Sequence, residues 1–96
     1  MTLPLPIKAR VHVRIEGRVQ GVGYRYFAME KALALGITGW VRNLPSGDVE
    51  AQAEGPKEAL QEWLSDLQQG PTLSRVTHLA AQWQPVDDQF ENFEVR

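Results

Sequence analysis

The chain has 96 residues, 43% of them hydrophobic and 23% charged, with 8 Gly, 6 Pro and no Cys. That composition fits one small globular domain and excludes a disordered, collagen-like or disulfide-stapled chain. A net charge of −2 argues against a broad nucleic-acid surface, which needs a strongly basic domain. The sign is nevertheless uneven. Residues 1–50 carry seven Lys/Arg against four Asp/Glu, and residues 51–96 carry three against eight. A solvated acidic face is the simpler reading of that asymmetry, and a local anion site in the first half stays open. Without Cys there is no thiolate nucleophile or thiolate ligand, and His12 and His78 stand alone in sequence, so no metal and no cofactor are expected. No apolar run approaches the roughly 20 residues a membrane span requires. Pro4 and Pro6 interrupt the N-terminal segment, which lacks the basic start and unbroken apolar stretch of a signal peptide. A cytoplasmic protein without membrane partners is expected.

Residues 1–9 read as a Pro-marked N-terminal arm and residues 10–96 as one domain. Val11, Val13 and Ile15 alternate with His12, Arg14 and Glu16, which predicts a half-buried strand. Gly17 to Gly23 reads as a Gly-spaced loop. From Tyr24 to Leu35, Tyr24, Ala28, Ala32 and Leu35 fall at helical spacing, and Gly36 supplies the stop. Ile37–Leu44 reads as a second strand. Pro45-Ser46-Gly47-Asp48 is a turn. Beyond it, Val49, Ala51 and Ala53 alternate with Glu50, Gln52 and Glu54, which predicts a third strand paired with the second as a hairpin.

Pro56 suits the first position of the next helix, where Leu60, Trp63, Leu64 and Leu67 form an apolar stripe. Gly70-Pro71 ends it. Arg75–Trp83 reads as a fourth strand, and Phe93 and Val95 as a short last one. The order βαββαβ with a terminal strand predicts an α+β, ferredoxin-like split βαβ sandwich. Both helices should pack on one face of a mostly antiparallel sheet. Trp63 falls on the core stripe. Trp40, Trp83, His12 and His78 read as strand-face residues, and Asp87-Asp88 as a solvated loop pair. That fold hosts many activities, so function has to be read from a site.

The stretch Gly17-Arg18-Val19-Gln20-Gly21-Val22-Gly23-Tyr24-Arg25 carries the most chemical information. Three Gly in seven residues between a strand and a helix let the backbone turn tightly and aim successive N–H groups into one concavity. The helix start adds unpaired N–H groups and the positive end of its dipole. Such a cradle suits an anion, most naturally phosphate. Arg25 offers a planar guanidinium that grips two oxygens at once. A tight connection with a surface Arg would look the same, and the residues alone leave the two readings balanced. The stretch is neither a Walker A loop nor a dinucleotide fingerprint.

The run GRVQGVGYR, followed by GWVRN and a hairpin turn, closely resembles the acylphosphatase family. The similarity spans about residues 10–96 and includes the Gly-Pro helix start and the terminal Phe-Glu-Val-Arg. The resemblance implies metal-independent hydrolysis of an acyl phosphate to a carboxylate and inorganic phosphate. It implies that Arg25 binds the phosphate, with the backbone N–H groups of Gln20, Gly21, Val22, Gly23, Tyr24 and Arg25 completing the cradle. It further implies that Asn43 orients the attacking water, although an Asn in that position otherwise reads as a turn residue. Arg42 should face the other side of its strand. The expected partners are a small-molecule acyl phosphate and inorganic phosphate, the latter as product and competitive inhibitor, acting on a monomer. An RNA-binding module of the same topology would display aromatics on a basic strand; Asp48–Glu54 is acidic and has none. A regulatory module within a larger system is a third reading, and the presence of both Arg25 and Asn43 speaks for an enzyme.

Overall fold

The computed structural model describes residues 7–96. The period-2 patterns at 11–16 and 49–54 become the central strands β1 (Lys8–Arg18) and β3 (Val49–Pro56), and the segment expected at Ile37–Leu44 becomes β2 (Thr38–Asn43). They are joined by β4 (Arg75–Gln84) and β5 (Phe93–Val95) in a single sheet of order β4-β1-β3-β2-β5. Neighbours run antiparallel except β2 and β5, which are parallel. Two helices, α1 (Tyr24–Ala34) and α2 (Lys57–Gln69), supply the second layer. This is the expected α+β, ferredoxin-like arrangement.

The core lies between that layer and one face of the sheet. Val11, Val13 and Ile15 of β1 and Val49, Ala51 and Ala53 of β3 are fully buried. They meet Tyr24, Ala28 and Ala32 of α1 and Leu60, Trp63 and Leu67 of α2, all within one buried cluster. Burying each large side chain contributes roughly 1.5–3 kcal/mol. Trp63 joins the layers: its indole N–H donates to the Ala28 carbonyl at 3.0 Å, and its ring meets Phe93 edge-on at 5.8 Å.

The structure moves several expected boundaries. Strand β1 begins at Lys8, which pairs with Pro56, so the expected arm 1–9 does not extend through Lys8 and Ala9. Of the rest of that arm, Ile7 accepts the Lys57 main-chain N–H at 2.8 Å, and residues 1–6 lie outside the described residues. At its other end β1 runs on to Arg18 through an irregularity at Glu16/Gly17, which shortens the expected Gly17–Gly23 loop to Val19–Gly23. Pro56 is the residue before α2, with extended backbone (ψ 135°), and closes β3 instead of occupying the first helical position. Glu54 is a charged residue in alternation with the apolar positions of β3, yet it is 1% exposed. The segment between β4 and β5 folds over that end of the sheet, and Glu54 accepts the Asp87 and Asp88 main-chain N–H groups and the Arg10 guanidinium. Asp87 and Asp88 are therefore anchored through their backbone, while their carboxylates pair with Arg10 and Lys8.

Register sets up the functional end of the sheet. Asn43 pairs with Val49, and Val49 pairs with Ile15. The end of β2 thus lies level with Ile15, three residues before β1 ends at Arg18 and the chain enters the loop before α1.

Candidate active site

Gly21 and Gly23 adopt positive φ angles of 73° and 77°, the left-handed region that glycine enters without a steric penalty. Gly23 is the N-cap of α1 and no side chain caps the helix. The first helical bond runs from the Phe27 N–H to the Gly23 carbonyl at 3.1 Å. Among the described residues, none of the main-chain N–H groups from Gln20 to Tyr26 finds an internal acceptor. No acidic residue lies in the first turn of α1. A run of free donors at a positive helix end, with no carboxylate beside it, attracts an anion.

Against this loop lies a cavity of about 150 Å³ lined by Val19, Gly21, Gly23, Tyr24, Arg25, Tyr26 and Asn43. Five of the expected site residues are therefore brought together there. The other two, Gln20 and Val22, are expected to offer main-chain N–H groups, and their side chains point elsewhere. Val22 leans partly against the core. Gln20 turns its side-chain amide away and donates to the carbonyls of Leu44 and Asp48, each at 2.8 Å. Those two bonds pin the loop to the β2–β3 turn, just past Asn43. Arg25 donates from Nη1 to the main-chain oxygen of Arg96 at 2.9 Å, which fixes one edge of its guanidinium. Its remaining donors are free for a ligand.

Tyr24 is 1% exposed, and its hydroxyl donates to the Leu67 carbonyl at 2.6 Å. Burial raises its pKa far above the ordinary value of 10.0, so it stays a neutral phenol. Its contribution to the cavity is a wall and a main-chain N–H. Asn43 presents a different feature: its Oδ1 is buried and has no hydrogen-bond partner among the described residues. An unsatisfied buried acceptor costs about 1–3 kcal/mol, and a donor brought into the cavity would relieve it. The Asn43 side chain makes none of the hydrogen bonds of the turn, which closes through main-chain bonds between Leu44 and Asp48 and between Gly47 and Leu44.

Arg42 faces the opposite side of the sheet, as expected, where its guanidinium grips Glu50 at 2.6 and 2.7 Å. His12 meets the same carboxylate at 2.8 Å. Burial opposes ionisation of Glu50, but the bonds from His12 and Arg42 outweigh it and hold its carboxyl below the ordinary value. Among the described residues, no group of three or more His, Cys, Asp or Glu side chains is placed to hold a metal ion. Sequence reasoning missed two features of the site: the Gln20 side-chain tether and Tyr26 in the cavity lining. The tether joins residues more than twenty positions apart and leaves no local trace. Tyr26 follows Arg25 in the first helical turn, and that adjacency was its one available signal.

The acylphosphatase family model matches residues 11–95. The chain belongs to the acylphosphatase family. It is 53% identical over 87 residues to the acylphosphatase of Syntrophotalea carbinolica, an alignment covering 91% of this chain and 95% of the relative. It is 57% identical over 74 residues to that of Thermus thermophilus, covering 77% and 84% respectively. The crystal structure of acylphosphatase from Bacillus subtilis superposes with a TM-score of 0.89 at 34% identity, covering 92% of this chain and 98% of that one. The ferredoxin-like sandwich is thus the architecture of the family, whose members are hydrolases acting on acyl-phosphate anhydride bonds.

Proposed function

We propose that the cavity beside the Val19–Gly23 loop hydrolyses acyl phosphates without a metal ion. The observation that carries this reading is convergence: the Arg25 guanidinium, a run of free main-chain N–H groups and the unpartnered Asn43 Oδ1 all belong to one small cavity or its rim. The phosphate sits in the cradle, with its oxygens on Arg25 and the loop N–H groups. Asn43 accepts a hydrogen bond from a water and aims the water oxygen at phosphorus. The P–O bond to the acyl oxygen breaks as the new P–O bond forms, and the carboxylate leaves with the bonding pair. The proton of the attacking water goes to a phosphate oxygen, which fits a site whose lining holds no His or carboxylate.

Phosphoryl transfer depends mainly on positioning and charge stabilisation, and preorganised donors supply both. Inorganic phosphate, the second product, fits the same cradle and acts as a competitive inhibitor. The step described needs one copy of the fold, and the proposal includes a monomer acting in the cytoplasm. The test is phosphate release from acetyl phosphate compared with a phosphate monoester. Rapid release from the first and almost none from the second is expected, because a carboxylate leaves far more readily than an alkoxide. Equal rates would overturn the reading.

A further inference from the structure

The cavity is about 150 Å³. That is room for a phosphate group and its attacking water but not for an extended acyl chain, so the acyl part of a substrate must lie across the rim. The lining leaves few surfaces there. Val19 and Tyr24 are each 1% exposed, and the Tyr24 hydroxyl is already bonded to Leu67. Gly21 and Gly23 have no side chain. Arg25 and Asn43 are polar groups assigned above to the phosphate and the water. Tyr26 remains. It lines the cavity and is 60% exposed, and among the described residues its side chain makes no hydrogen bond, aromatic contact or cation–π contact. It sits in the first turn of α1, one residue beyond Arg25.

We propose that Tyr26 is a specificity-determining residue whose ring receives the acyl group, giving this site a preference for flat, apolar acyl phosphates over small ones. The proposal rests on the hydrolytic reading above and adds to it the class of acyl group. A ring open to solvent presents a broad apolar face, and an aromatic partner gains offset or edge contact with it beyond simple area burial. An acetyl group is too small to share that face. No carboxylate lines the cavity, so an apolar acyl group meets no anionic side chain there that it would strip of water. The contact lies outside the reacting atoms. It therefore changes which acyl phosphate is bound and leaves the order of bond making and breaking as described.

The experiment measures kcat/KM for benzoyl phosphate and acetyl phosphate on the wild type and on Tyr26→Ala, Tyr26→Phe and Tyr26→Lys. The wild type should favour benzoyl phosphate. Tyr26→Ala and Tyr26→Lys should lower the benzoyl-to-acetyl ratio by about fivefold to tenfold, in keeping with the loss of one aromatic contact. Tyr26→Phe should keep the ratio, since the ring and not the hydroxyl makes the contact. A merely structural role for Tyr26 would depress both substrates together and leave the ratio fixed; that result, or a ratio lost in Tyr26→Phe, would overturn the proposal. If the folded wild type hydrolysed neither substrate, the hydrolytic reading itself would fall and this one with it. Hydrolysis of both with an unmoved ratio would sink the acyl-group role alone.

Discussion

Asn43 and Arg25 share a cavity, and the proposed mechanism gives them different parts of the reaction, so their substitutions should separate. Asn43→Ala leaves Arg25 and the loop N–H groups in place, so inorganic phosphate should inhibit with near-normal affinity. Turnover should fall by about 10²–10³-fold, the scale of losing one preorganised polar group, with kcat depressed and KM little changed. The same change removes a buried acceptor without a partner, so the unfolding midpoint should hold or rise. A near-normal kcat with a lowered midpoint would instead make Asn43 a structural residue. Arg25→Lys keeps the charge but loses the fork and the bond geometry to the Arg96 main-chain oxygen; both phosphate inhibition and turnover should weaken. On the opposite face, Glu50 has a lowered pKa in the folded chain, so its ionised form stabilises the fold above the ordinary value of 4.5. That contribution is lost as pH falls through the lower folded value. Urea unfolding of wild type and Glu50→Gln should therefore show a stability gap at neutral pH that closes in acid. A gap independent of pH would rule out the charge as its source.

At the scale of elements, the phosphate cradle proposed for the loop between β1 and α1 depends on backbone geometry. Gly21 has φ 73°, and a Cβ built there meets open space. Gly21→Val should therefore strain the backbone without a clash, by about 1–2 kcal/mol or more for a β-branched side chain. Relaxation of that strain would turn the loop N–H groups out of the cradle. Weakened inhibition by phosphate, in a variant that still folds, is the expected result; unchanged affinity would leave the loop a simple connector. Elements of this kind were largely legible in the sequence. The order βαββαβ, the hairpin and the α2 stripe depend on local periodicity and on Gly or Pro stops, which the chain states openly. Features made by distant contacts were hidden. Glu54 is a charged residue on the face of β3 opposite Ala53, and the segment between β4 and β5 covers it. Lys8 and Ala9 carry no alternating pattern and become strand because β3 offers them partners. The Gln20 tether joins a loop to a turn that sequence reading treated separately.

The whole molecule carries a net charge of −2, so the protein as a body does not draw in an anionic substrate. The attraction has to be local. The charge asymmetry of the sequence is realised this way: Arg25 is the one charged side chain in the cavity lining, while Arg10, Arg14 and Arg42 pair with Glu54, Asp48 and Glu50. In the proposed mechanism, Arg25 and the N–H dipoles of the loop and helix start supply the positive potential that a divalent cation supplies in many phosphoryl-transfer sites. A cation added to that arrangement has nothing to complete. Hydrolysis of acetyl phosphate should accordingly proceed at the same rate with a strong chelator present as without it. Added Mg²⁺ should give no acceleration, and because it pairs with the substrate's phosphate oxygens it should raise the apparent KM as it competes with Arg25. Initial rates over a Mg²⁺ series, with and without chelator, decide the matter. Activity abolished by chelation and restored by Mg²⁺ or Zn²⁺ would mean that the charge at phosphorus comes from a bound metal and not from Arg25 and the backbone.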